Sequence, residues 1–216
     1  KESGDLDYDF GRDGLAEPAY VESPTEGNSV KVHENGSIAV AGSIGEPGRI
    51  DSALFLFTDR GQPESSFADN GMAVTEVSLD DDMALAVDIS GDIISLSGFA
   101  TVDGEREFLF ITHQVQVPDV DRVSFSLKTG GGTTSLMIGE RQVYTSYNEF
   151  QGEPVGGPFE LVQSVVNTTP FDYFSEDTSY AVDIQADGKA VAAGFTEQGG
   201  VMTFAVARYG AAGETV

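Results

Sequence analysis

Two histidines, His33 and His113, are the only side chains of the 216 that titrate near neutral pH, and the chain has no cysteine. Thiol nucleophiles, zinc–thiolate sites, iron–sulfur clusters and disulfides are therefore excluded. A Ser–His–Asp triad is recognised by geometry rather than by chain order, so the sequence leaves one open. Neither histidine, however, lies near a Gly-x-Ser-x-Gly elbow. His33 sits beside a turn signal and His113 near a strand end, and both read as exposed turn or edge residues. Carboxylates are abundant, with 36 Asp and Glu against 11 Lys and Arg. Glycosidase chemistry needs two of them across a cleft with one pKa raised, and no pair stands out. Asp80, Asp81 and Asp82 form the candidate calcium loop, with a solvated acidic turn as the plainer reading. Asp5, Asp7 and Asp9 alternate with Leu6, Tyr8 and Phe10, which predicts a strand with one polar and one apolar face. Gly130-Gly131-Gly132 lacks the Lys-Ser/Thr of a phosphate cradle and reads as a flexible turn.

The formal charge of −25 bounds the partners. Nucleic-acid binding depends on Lys and Arg displacing counterions, so nucleic acid is excluded, and anionic membrane surfaces are disfavoured. No apolar run approaches the ~18 residues that a spanning helix needs, so no membrane insertion is expected. A hydrophobic content of 40% with 26 Gly and 14 Phe is that of a globular chain. The start at Lys1 suggests a processed mature protein or an excised fragment.

One unit recurs: an alternating strand, a turn containing Gly, a second apolar strand and a closing Gly. It is clearest at 180–194, and recurs at 29–42 and 85–98 and, by rhythm alone, at 123–139. The closing residues Gly42, Gly98, Gly139 and Gly194 are 56, 41 and 55 residues apart. Asn35-Gly36 and Asp187-Gly188 are tight-turn pairs, so each copy reads as a β-hairpin. A Gly closing the second strand permits a close backbone approach. Aromatic-rich strands follow at 53–57, 107–111, 159–166 and 202–209. A Phe-containing loop comes next at 64–71, and the segment 6–14 looks like the same loop. No amphipathic helix of normal length is predicted. The expected fold is all-β and β-propeller-like, one repeat domain of about four blade-like units at 15–71, 72–114, 115–171 and 172–216 plus 1–14.

The stretches Asp5–Gly14, Ala181–Lys189 and Phe204–Tyr209 resemble the delta-60 repeat family, whose pattern joins a Leu-Asp-x-x-Phe-Gly loop, an Ala-Val-x-x-Gln-x-Asp-Gly-Lys hairpin and a Phe-x-Leu-Ala-Arg-Tyr strand. The second unit departs from it, with Ser90-Gly91-Asp92 at the turn, and the third matches by hydrophobic rhythm only. The resemblance implies bacterial surface or secreted β-propeller blades, hence an extracellular or cell-surface location, and carries no catalytic motif or required cofactor. In that phase the N-terminal loop belongs to the last blade. The N- and C-terminal segments are expected to close it, either within one chain or head-to-tail with a neighbour.

Exposed aromatics suit sugar stacking or protein docking, and the segment from Tyr144 to Tyr173 is rich in them. The candidate partner contacts are Tyr147 and Phe150 there, with Leu6, Tyr8 and Phe10 in the terminal segment. The expected function is a non-enzymatic module for adhesion or assembly, with a protein partner or self-association and a surface filament as one form. A carbohydrate-binding or carbohydrate-cleaving propeller is the alternative, which would make the partner a glycan. A calcium-stabilised scaffold is the third reading.

Overall fold

The computed structural model describes residues 6–19, 22–116, 123–125, 134–138, 141–145, 160–169, 176–198 and 200–210. Among these every regular element is a β-strand and every strand pair is antiparallel. The all-β expectation holds. The strands are β1 (Thr25–Val32), β2 (Ile38–Glu46), β3 (Arg49–Phe57), β4 (Met72–Thr75), β5 (Asp82–Ser90), β6 (Ile93–Val102), β7 (Glu105–Gln116), β8 (Val123–Phe125), β9 (Thr134–Ile138), β10 (Arg141–Thr145), β11 (Glu160–Thr169), β12 (Asp177–Ile184), β13 (Ala190–Gln198) and β14 (Val201–Tyr209).

They form a first sheet β1-β2-β3-β4, a second sheet β11-β7-β6-β5, a third sheet β12-β13-β14 and a small sheet β10-β9-β8, none of them closed. The placement of β11 differs from the expected third unit. It pairs with β7 from Glu160↔Gln116 to Thr169↔Phe108, so the second sheet takes its fourth strand from beyond the small sheet. Period-2 alternation says that a strand has two faces but not which neighbour it pairs with.

The repeat is visible in the backbone. The first strand of each large sheet carries one β-bulge, at Gly27/Ser29, Ala84/Ala86 and Ser179/Ala181. Opposite each bulge stands the closing glycine of its unit. A Cβ on Gly42 would lie 1.9 Å from the Glu26 carbonyl oxygen, and on Gly98 or Gly194 1.8 Å from that of Met83 or Thr178. The bulge pushes a backbone carbonyl into the space a side chain would fill, which is why the sequence repeats Gly there. Gly139 lies outside the described residues.

The three large sheets stack in order. β5 lies against β1, β2 and β3, and β12 against β5, β6 and β7. Between the first and second sheets the core is Ala39, Ala41, Leu54 and Leu56 against Ile94, Leu96, Leu109 and Ile111. Between the second and third, Phe108 and Phe110 pack against Ala190, Ala192, Ala205, Ala207 and Tyr209. Tyr209 stacks on Phe110 at 4.1 Å and donates its hydroxyl hydrogen to Thr169 Oγ1 at 3.1 Å, which clamps β14 to the second sheet. Burial raises the Tyr209 pKa, so the phenol stays a donor. Each sheet therefore has a near face toward the sheet before it and a far face toward the sheet after it.

The expected closure of the last blade by the N-terminal segment is not what residues 6–14 do. They curl into a turn docked on the first sheet. Gly11 N–H donates to the Arg60 carbonyl at 2.7 Å, and Phe10 lies against Gly61, where a Cβ would come within 2.8 Å of its ring. A turn closed by Phe10 N–H donating to the Asp7 carbonyl at 3.0 Å breaks the extended backbone that the Asp–apolar alternation had suggested, and Gly11, Asp13 and Gly14 continue it with positive φ. The kinship with the loop at 64–71 is real. Phe10→Asp7, Gly14→Phe10, Arg12→Leu15 and Leu15→Arg12 backbone bonds recur as Phe67→Glu64, Gly71→Phe67, Asp69→Met72 and Met72→Asp69. Positive φ recurs at the matching Ala68, Asn70 and Gly71.

Candidate functional site

Among the described residues, chemistry-bearing or exposed apolar side chains come together in two inter-sheet grooves and on the far face of the third sheet.

The larger groove, about 480 Å³, runs between β4 of the first sheet and β11 of the second, with Asp69, Thr75, Glu76, His113 and Ser164 in its lining. His113 is not the exposed edge residue the sequence suggested. β7 is flanked by β6 and β11, and the ring is buried edge-on to Phe67 at 6.5 Å. Its Nδ1 lies 2.8 Å from Ser164 Oγ, and its Nε2 is buried with no hydrogen-bond partner. Burial lowers the imidazole to about 4, so it is neutral at physiological pH. A nucleophilic serine needs a base oriented by a third group on the far ring nitrogen. Here that nitrogen is buried with no hydrogen-bond partner, so the pair acts as a part-buried hydrogen bond between β7 and β11. His33 sits in the β1–β2 turn, where its Nδ1 accepts from Asn35 N–H at 3.2 Å.

The smaller groove, about 330 Å³, is polar and includes Asp80, Asp81, Thr101, Arg106 and Glu176 in its lining. Arg106 lies 3.6 Å from Glu176 and 4.2 Å over the Phe99 ring. The candidate calcium loop falls here, but its oxygens do not converge. Asp82 is buried and accepts from Val77 and Ser78 N–H at 2.8 Å, Ser78 Oγ–H at 3.0 Å and Thr101 N–H at 3.1 Å. Asp81 accepts from Ile50 N–H at 3.1 Å, and Asp80 is exposed. These carboxylates staple the link from β4 into β5 onto β3 and β6. Among the described residues no three His, Asp or Glu side chains gather as a metal site. Nearby Asp51 has its pKa raised by burial first and then by Glu76 and Asp82, the direction a proton donor requires.

The far face of the third sheet is of another kind. Phe204 is 86% exposed and Val206 49%, with Met202 and Tyr180 beside them also exposed. Matching the strand registers makes Phe204 and Val206 equivalent to Ser52 and Leu54 of the first sheet and to Phe108 and Phe110 of the second. All four of those equivalents are fully buried against the next sheet. Sequence reading placed the docking aromatics elsewhere. Leu6 and Tyr8 are exposed and Phe10 is half-buried on Gly61, while Tyr147 and Phe150 lie outside the described residues. The missed signal was the strand 202–209 itself, whose Met-x-Phe-x-Val alternation is that of a strand with two apolar faces. Compared with protein-family models, curated proteins and solved structures, the chain gives no match.

Proposed function

We propose that this chain is a non-enzymatic docking module of adhesion or assembly at the cell surface, a propeller-like fan of blades of the delta-60 kind that its sequence resembles. The observation that carries the reading is the exposed far face of the third sheet. Large apolar side chains grouped on one face mark an interaction surface, whereas single scattered ones do not. Phe204, Met202, Val206 and Tyr180 lie together on that face. The fan rests on the inner strands. Lys31 of β1 and Asp88 of β5 occupy matching register positions and pair at 2.7 Å, and Asp88 also accepts from Ile184 N–H of β12 at 2.8 Å. Three first strands thus meet near one line, as blades do around an axis.

A photo-crosslinking amino acid placed at position 204, in cells that make the protein, tests the reading. A protein adduct of discrete mass is expected from position 204 and none from the exposed turn residue Asp59. No adduct at 204, or adducts to glycan alone, would overturn docking in favour of the carbohydrate reading.

A further inference from the structure

Resting on the docking reading, we infer that the occupant of the third sheet's far face is the first sheet of a second copy of this chain, seated head-to-tail. The contact from the first sheet to the second and that from the second to the third are the same contact made twice. In both, the far face of one sheet takes the near face of the next, with the backbones closest at that next sheet's first strand and the apolar core on its second and third strands. A third use of the same contact requires a near face that is open at its first strand. The first sheet has one. Val30 and Val32 of β1 are 63% and 60% exposed. Their register equivalents are buried or packed against a neighbouring core: Val87 and Ile89 in the second sheet, Val182 and Ile184 in the third. The chain therefore presents one unused far face and, along β1, one unused strip of near face of the same repeating contact, at opposite ends of the stack, the near face of β3 being already buried with Ala16 of the N-terminal segment.

Two details favour this partner over an unrelated one. The residue looped out at the β1 bulge faces the following sheet: Asn28 Nδ2 donates to the Ala84 carbonyl of the second sheet at 3.0 Å. Its equivalent in the third sheet is Tyr180, exposed and 5.8 Å from Phe195, placed to meet the β1 bulge of another copy. The N-terminal turn leaves that approach open, because its Ala16 packs against the Ala53, Phe55 and Phe57 cluster while Val30 and Val32 stay exposed. The contact is face to face and exchanges no strand. A charge of −25 on each copy opposes it, so association strengthens as salt screens the repulsion.

Sedimentation velocity of the purified chain across a salt series tests this. Wild type associates, increasingly with salt. Phe204→Asp alone and Val30→Asp/Val32→Asp alone each weaken association by ~30-fold or more, the loss expected from a central apolar contact. All three substitutions sit at exposed positions, and unchanged unfolding midpoints show that the variants fold. Mixing the two variants restores pairs, because each retains the face the other lacks. Association that survives Val30→Asp/Val32→Asp points to a far-face-to-far-face contact and overturns the inference. A wild type that stays monomeric at every salt concentration also overturns it. If position 204 still crosslinks to another protein in cells, the docking reading stands without it.

Discussion

Protonating His113 should loosen the seam between β7 and β11. The ring is buried, held by one contact to Ser164 Oγ, and its imidazole titrates at about 4 instead of 6.5. The folded value lies below the unfolded one, so between these pH values the unfolded chain binds the extra proton and the folded chain does not. Stability from this group is fully present above about pH 6.5 and falls as the pH drops toward 4. At ~1.4 kcal/mol per pH unit the window is worth ~3 kcal/mol, a large part of a typical folding free energy. His113→Asn keeps an amide near the place of Nδ1 and removes the titration. Urea unfolding of both proteins from pH 7 to 4 should show the wild-type advantage shrinking by ~3 kcal/mol, all of it between about 6.5 and 4. Parallel curves would mean that the imidazole is hydrated or protonated in the folded state, and the reasoning would fail.

Two further outcomes test the backbone account. Gly98→Ala puts a methyl where the Met83 carbonyl already lies, and because the neighbour is backbone the bulge must open. Thermal unfolding should show a loss of ~3 kcal/mol, against ~1–2 kcal/mol for Gly48→Ala, where a Cβ meets nothing within 4 Å and only the positive φ of 88° is strained. Gly61→Ala strains a residue at φ 73° and strikes the Phe10 ring. It should release the 6–14 turn to limited proteolysis while the three-sheet core keeps most of its hydrogen-exchange protection, and unchanged cleavage would show that the turn is held by something else.

The closing glycines, the hairpin turns and the all-β class were legible because each is forced by local backbone geometry. Gly36 and Gly188 take positive φ in matching turns, with Gly36 N–H bonded to His33 and Gly188 N–H to Gln185. What stayed hidden depends on partners distant in sequence. The Asp5–Phe10 alternation imitates a strand, yet the backbone bonds Phe10→Asp7 and Gly14→Phe10 fold residues 7–14 into the same turn as 64–71. Asp82 reads as one of three surface carboxylates until Val77, Ser78 and Thr101 are found donating to it. Nor does the composition of 202–209 reveal which of its two apolar faces the chain itself covers.

The route to β11 has a consequence for how the second sheet comes into being. Gln116 and Glu160 stand directly opposite each other in the ladder, the position at which a tight turn would ordinarily join two strands. The chain instead departs there and returns after 43 intervening residues. Closing so long a loop costs ~2 kcal/mol more in chain entropy than a short turn would. During synthesis β5, β6 and β7 must wait, with β7 an open edge, until the ribosome has supplied the whole excursion. An open edge is a template for unwanted pairing, so the seconds before β11 arrives are when this protein is most exposed to misassembly. The same arrangement makes the junction a natural splice point, where the segment 117–159 can be exchanged for another without redrawing the sheet that holds it.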